Sequence, residues 1–280
     1  MPPSFNGLRV LTLESRRAVE IAKLISTFGG RPISAPALRE VPLETNTEAL
    51  AFANAVIRDE YPVVVFLTGV GLRALLAVVD QLGDRQAFVA ALARTRIVAR
   101  GPKPIAVMRE LGLAPWVAAP EPNTWRELLA ALDAQGDVVR GLRVAVQEYG
   151  HSNTRLLEGL AARGAIVTRV PVYQYQLPED LQPLRDAVSA AIAGNIDLAM
   201  FTTGTQVVHL FDVAATMGVA EQLRAALGRV VIVSIGPTTS EEIREHGLEV
   251  DLEPSHPKMG ILVTEAAERS LELAAAKKRM

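Results

Sequence analysis

The chain has 280 residues, 49 % of them hydrophobic and 21 % charged, and carries a net charge of −2; this allows two domains with ample core and excludes a disordered chain. Near-neutrality argues against general affinity for nucleic acid or an anionic membrane, so any electrostatic recognition is local. With no cysteine in the sequence, disulfides, thiol nucleophiles and thiolate metal sites are excluded.

From the N-terminus, LRVLTL is a strand, and Ala18 to Phe28 has the apolar spacing of a helix, closed by Gly29-Gly30. A short strand runs to Pro36, followed by an extended segment, Ala37 to Leu43, and a helix over Glu48 to Arg58. Val63 to Leu67 reads as a buried strand, with a helix from Gly71 presenting Leu72, Leu75, Leu76 and Val79 on one face. A helical piece near Ala87 to Leu92, a strand at Arg96 to Ala99, the turn Gly101-Pro102 and a helix to Leu111 come next. A strand near Trp116 to Ala119 and a helix after Asn123-Thr124 complete the first half, and the same order recurs from Leu142 to Leu273.

That recurrence extends to particular residues. GLRV at Gly7 returns at Gly141, an offset of 134; FLTG at Phe66 returns as FTTG at Phe201, an offset of 135. Gly30 answers to Gly164, Pro36 to Pro171, Gly101-Pro102 to Gly236-Pro237, and ELGL at Glu110 to EHGL at Glu245. One inserted residue between Gly164 and Pro171 accounts for the change of offset, and the register implies an internal duplication. Alternating strands and helices imply parallel sheets with helices on both faces.

Two equivalent segments break the alternation, Ala37 to Leu43 and Val172 to Leu177, each extended after a proline. They are expected to be strands crossing between domains as a two-stranded ladder, with residues 37–40 and 172–176 as the linker. One domain is then discontinuous, 1–36 with 177–280, and the other spans 41–171.

The candidate site lies at turns that end strands. Thr68 and Gly69, with their mates Thr203 and Gly204, sit where open α/β sheets bind ligands; their small residues, hydroxyls and amides suit an anionic group, or the threonines cap the following helices. In VVIVSIGPTTSEEIREHGLEVDL, Gly236 and Pro237 turn the chain, and Thr238 and Thr239 are expected to open a helix with Glu241 and Glu242 in its first turn. Free amides there can hold an anion. The matching turn carries Arg100, Gly101 and Lys103, and two cations at a helix N-terminus are unfavourable unless an anion joins them, or they are solvated surface charge. The two turns are expected on opposite domains, gripping one ligand.

Gly69 to Ala74 satisfies G-x-G-x-x-A, but the next strand ends without an acidic residue, which disfavours dinucleotide binding. Glu14 and Glu148 occupy equivalent positions and read as loop polarity. His209 and His246 read as surface or half-buried helix residues, while His151 is expected to face the ligand. The four histidines lack metal-site spacing, so neither metal nor cofactor is expected. The opening MPPSFNGLR lacks an apolar signal core, and no run approaches the ~18 apolar residues of a membrane span. A cytoplasmic monomer is expected, with no membrane or nucleic-acid partner. Tyr173 and Tyr175 share one face of their strand; either could present a weak acid, or both could pack the linker.

Across the whole chain, the duplicated pattern, the F-x-T turns at Phe66 and Phe201, VPVYQY at Val170 and IGPTT at Ile235 resemble the uroporphyrinogen-III synthase family. The resemblance implies a cofactor-free enzyme that cyclises hydroxymethylbilane, a linear tetrapyrrole polycarboxylate, to uroporphyrinogen III, with loss of water and inversion of ring D. It implies Tyr173 as proton donor to the leaving hydroxyl and Thr68, Thr203, Thr238 and Thr239 as binding residues. The alternative is a non-catalytic two-domain sensor of a tetrapyrrole or other anion, since fold alone does not settle activity.

Overall fold

Short aliphatic strands, VVVF, LAMF and VIVS, are buried along their whole length, the signature of parallel strands covered on both faces. The computed structural model describes residues 2–42, 47–148 and 152–277, without the side chains of Glu40, Pro42, Leu82, Tyr173 and Gln174. The first repeat contains β1 (Arg9–Thr12), α1 (Ala18–Thr27), β2 (Arg31–Ser34), β3 (Arg39–Pro42), α2 (Thr47–Ile57) and β4 (Val63–Phe66). It continues with α3 (Gly69–Leu82), α4 (Arg85–Leu92), β5 (Arg96–Ala99), α5 (Pro102–Glu110), β6 (Val117–Ala118) and α6 (Trp125–Asp133). The second contains β7 (Arg143–Glu148), α7 (Thr154–Ala162), β8 (Ile166–Pro171), β9 (Tyr173–Gln176), α8 (Gln182–Ile192) and β10 (Leu198–Phe201). It ends with α9 (Gly204–Thr216), α10 (Ala220–Leu227), β11 (Val231–Ser234), α11 (Pro237–Glu245) and α12 (Met259–Lys277).

The chain divides into two units, one formed by Met1–Arg39 with Gln176–Met280 and the other by Glu40–Tyr175. The first holds a parallel sheet in the order β11-β10-β1-β2, the second one in the order β6-β5-β4-β7-β8. Both chain passages between the units fall within β3 and β9, which form a separate two-stranded sheet. Each main sheet therefore joins strands from both repeats, and does so in the same register. Val10 of β1 faces Leu198 of β10, and their counterparts Val144 and Val63 face each other in the other unit. Such agreement at residue level is the structural trace of the duplication read from the sequence.

Both main sheets are sealed on their two faces. In the unit of β4, Val63 and Val65 enter a cluster with Leu128, Leu132, Leu156 and Leu160. The intervening Val64 and Phe66 enter another with Leu72, Leu75 and Phe88. In the other unit Leu198 and Met200 pack with Ile21, Ile25 and Leu262, while Ala199 and Phe201 pack with Leu184, Leu210 and Leu223. Each large aliphatic or aromatic side chain so buried contributes about 1.5–3 kcal/mol.

The amino ends of the two central strand pairs carry ion pairs from repeat-equivalent arginines to carboxylates at different positions. Arg9 donates from its backbone nitrogen, Nε and Nη2 to the Asp197 carboxylate at 2.8–2.9 Å; Arg143 donates to Glu60 at 2.8 Å and to the Tyr61 hydroxyl at 3.0 Å.

Some sequence expectations shift. The helix expected from Gly71 begins at Gly69, because Thr68 supplies its cap. The helix expected to open at Thr238 begins at Pro237, whose fixed φ suits a first helical position, and this leaves Glu241 and Glu242 outside the first turn. The short strand near Trp116 is confined to Val117–Ala118.

One bridge between α6 and α7 gives a pH-dependent contribution to stability. Arg163 holds Asp133 through two bonds of 2.6 Å, and hydrogen bonding from Arg163 keeps this carboxyl below its ordinary value of 3.8. A depressed folded pKa adds stability above the unfolded pKa, and that contribution is lost as pH falls through the folded value. Both groups are largely solvated, so Asp133→Asn should lower unfolding free energy by less than about 1 kcal/mol near neutrality. Denaturant titrations should show the wild-type advantage vanishing as pH falls from 3.8 downward; an advantage independent of pH would contradict the assignment.

Candidate active site

In each unit the chain order reverses at the middle of the sheet. From β4 the chain proceeds outward to β5 and β6, whereas β7 leads the other way to β8; from β1 it proceeds to β2, whereas β10 leads to β11. Such a switch point leaves space beyond the strand carboxyl ends. Thr68 and Gly69 follow β4 and Gly101 and Lys103 follow β5, its neighbour. Thr203 and Gly204 follow β10, with Gly236, Pro237, Thr238 and Thr239 following the adjacent β11. The sequence-predicted binding residues thus gather at the carboxyl edges of two sheets, one group in each unit.

The threonines divide between structure and availability. Thr68 accepts a hydrogen bond from the Gly71 amide at 3.0 Å and so caps α3. Thr203, its repeat mate, has the same extended backbone but makes no side-chain cap. Thr238 is exposed, whereas Thr239 is buried.

At Gly69, Gly71 and Gly101 the lack of a side chain permits close packing. A Cβ on Gly69 would stand 2.6 Å from the Lys103 carbonyl oxygen, and one on Gly71 would overlap the Gln147 amide. Packing of α3 on α5 and β7 therefore explains the G-x-G-x-x-A spacing without a nucleotide. A Cβ on Gly101 would meet the Asn123 side chain at 2.8 Å.

The two G-P turns differ in what they can offer an anion. Helix α11 begins Pro237-Thr238-Thr239, leaving two consecutive first-turn amides free of helical partners. Helix α5 begins Pro102-Lys103-Pro104, so only the Lys103 amide remains, beside an exposed ammonium. The lysine charge replaces a missing N–H donor. Arg100 is half-buried. A hydroxyl pair also stiffens the α11 turn: Ser240 Oγ donates to Ser234 Oγ at 2.8 Å, and Ser234 Oγ donates to the Gly236 carbonyl at 3.0 Å. Sequence reasoning passed over both serines, whose only signal was that the aligned positions in the first repeat are Ala99 and Ile105.

The polar centre of each switch point departs from expectation. Glu148 is not loop polarity: it ends β7 and is buried, and its Oε2 accepts from Arg169 Nε and Ser152 Oγ, each at 2.8 Å. Glu14 is half-buried, and its Oε2 accepts from Thr202 Oγ1 at 2.6 Å. Gln206 in turn donates to Thr202 Oγ1 at 2.9 Å and accepts from the Thr202 amide at 2.7 Å. His209 is buried rather than half-exposed, with Nδ1 2.7 Å from the Ala37 carbonyl oxygen, because α9 packs that face against the chain leaving β2. The backbone of Tyr173 lies in β9, while its side chain and His151 lie outside the described residues. Among the described residues no group of three His, Asp or Glu side chains could hold a metal ion, and no helix is long and apolar enough to cross a membrane.

A family model described as uroporphyrinogen-III synthase HemD matches residues 19–264. The chain belongs to this family. Membership associates it with tetrapyrrole biosynthesis. Among solved structures, a mutant uroporphyrinogen III synthase from the extremely thermophilic bacterium Thermus thermophilus is 25 % identical with a TM-score of 0.75, covering 95 % of this chain and 99 % of that one. The wild-type enzyme in another crystal form is 26 % identical with a TM-score of 0.59, covering 98 % of this chain and 100 % of the other. A Bacillus subtilis (strain 168) relative, named as the uncharacterized protein YjjA, is 29 % identical over 265 residues, 93 % of this chain and 95 % of its own.

Within this synthase-family fold the repeat-related threonines should respond differently to truncation. Thr68→Ala loses a cap and should cost about 1 kcal/mol in denaturant unfolding, whereas Thr203→Ala should cost clearly less. Equal losses would show that the capping difference has no energetic weight.

Proposed function

We propose that the chain cyclises hydroxymethylbilane to uroporphyrinogen III, losing water and inverting ring D. The observation that carries this reading is the family match over residues 19–264, supported by likeness to the Thermus synthases along nearly the whole chain. The chemistry suits the residues. A hydroxymethylpyrrole ionises readily because its ring nitrogen supports the resulting cation, so the reaction asks for modest acid strength and close control of conformation, and needs no cofactor. Control of conformation is what oriented amides and hydroxyls provide.

In this reading the substrate carboxylates are held at helix starts. The Thr238 and Thr239 amides with the Thr238 hydroxyl take one, the Lys103 amide and ammonium take another, and Gly69, Gly204 and the Thr203 hydroxyl serve the switch points. Thr68 contributes by fixing the start of α3, and Gly101, Gly236 and Pro237 by shaping the turns. Tyr173 protonates the leaving hydroxyl. The azafulvene so formed is attacked by the substituted carbon of ring D, and the spiro intermediate fragments and recloses with that ring reversed.

Incubation with freshly prepared hydroxymethylbilane, followed by separation of the oxidised isomers, tests the reaction. Type III product is expected; type I alone, the product of spontaneous closure, would leave the chain a binder. Tyr173→Phe should lower kcat by up to about 100-fold while still giving some type III isomer. An unchanged kcat would remove Tyr173 from the acid role.

A further inference from the structure

Duplication placed a glutamate at the same position of each switch point, and the structure treats the two differently. Glu148 is buried, bonded to the Arg169 guanidinium and covered by Ser152. Glu14 lies just beyond β1, half-buried, and among the described residues it pairs with no cation. Its partners are the Arg17 backbone amide at 3.2 Å and the Thr202 hydroxyl at 2.6 Å, while the Arg17 guanidinium turns to Glu20 at 3.4 Å. Thr202 follows β10, the strand paired with β1, so the Glu14–Thr202 bond spans the switch point itself.

The hydroxyl is held in one direction. Gln206, buried at 1 % exposure, is oriented by the Thr202 amide and donates to the Thr202 oxygen. The Thr202 proton is thereby committed to Glu14. The aligned position in the other unit is Leu67, with no hydroxyl. A carboxylate bonded to Thr202, and paired with no cation among the described residues, would repel a polycarboxylate ligand at the turn that continues into Thr203 and Gly204. Such a carboxylate suits a ligand that becomes positive in part.

Resting on the synthase reading, we infer that Glu14 is a catalytic residue facing the cation formed on loss of water, with Thr202 and Gln206 as positioning residues. The C–O bond of the hydroxymethyl group breaks with its electron pair on oxygen, which takes a proton from a general acid and leaves as water. The pyrrole nitrogen shares its lone pair with the methylene carbon, spreading the positive charge over both. Glu14 forms no covalent bond and opposes that charge in a site already arranged for it. When the closing ring regains aromaticity, its carbon returns a proton to the conjugate base of that acid, so water is the only net loss.

Steady-state kinetics on the full chain test this. Glu14→Gln keeps an acceptor for Thr202 but removes the charge; kcat should fall about 100-fold, with KM unchanged or lower because repulsion of the substrate is relieved. Thr202→Val should also lower kcat at constant KM, and Thr202→Ser should restore it. Wild-type kcat in Glu14→Gln, or a raised KM alone, would overturn the inference. Should Glu14→Gln fail to fold, the Thr202 pair decides: an unaffected kcat in Thr202→Val overturns it. A wild-type chain yielding only type I isomer overturns the synthase reading and this inference with it, whereas a normal wild type with a normal Glu14→Gln overturns this inference alone.

Discussion

The pairing of β4 with β7, and of β1 with β10, is the constraint on which the structure depends. In both pairs a strand from one repeat lies against a strand from the other, in equivalent register. Parallel neighbours buried on both faces cannot slip by one residue without exchanging the side chains of two separate cores. The register is further held at the amino ends, by Arg9 with Asp197 and by Arg143 with Glu60. With the strands so placed, the reversals of chain order fall at fixed positions. The turns after β4, β5, β10 and β11 then come together at carboxyl edges.

On that common frame the repeats have diverged in the polar groups they present at the strand ends. Both G-P turns start helices at a proline, yet one offers two threonine amides and the other a single amide with a lysine charge. Each switch point also has a glutamine, from opposite partners. Gln147 reaches from a strand to the start of α3, over Gly71, while Gln206 projects from α9. The aligned residues are Leu13 for Gln147 and Gly71 for Gln206, so the amide changed sides while its location was kept.

Much of this is legible in the sequence. Strand and helix order, the parallel α/β class and the duplication followed from aliphatic runs, glycine stops and one repeated register, all local signals. The turns at the strand ends were legible for the same reason, since glycine, proline and threonine there mark a bend and a helix start. Helix starts were misplaced by up to two residues, at Gly69 and Pro237, because capping depends on which hydroxyl or proline the backbone reaches first.

By itself, the sequence determined which residues alternate between two cores, where the chain turns, and that its halves share one plan, since each is encoded in spacing along the chain. The two crossing segments already placed both repeats in one domain; only the tertiary structure decided which strands lie side by side in the main sheets and in what register, and so which polar groups meet. Glu14 and Glu148 look alike in sequence; one is neutralised by Arg169 and buried, the other meets a hydroxyl from residue 202. Partners that far apart in the chain leave no periodic signal. Whether a carboxylate is sealed or available is set by the strands folding brings beside it.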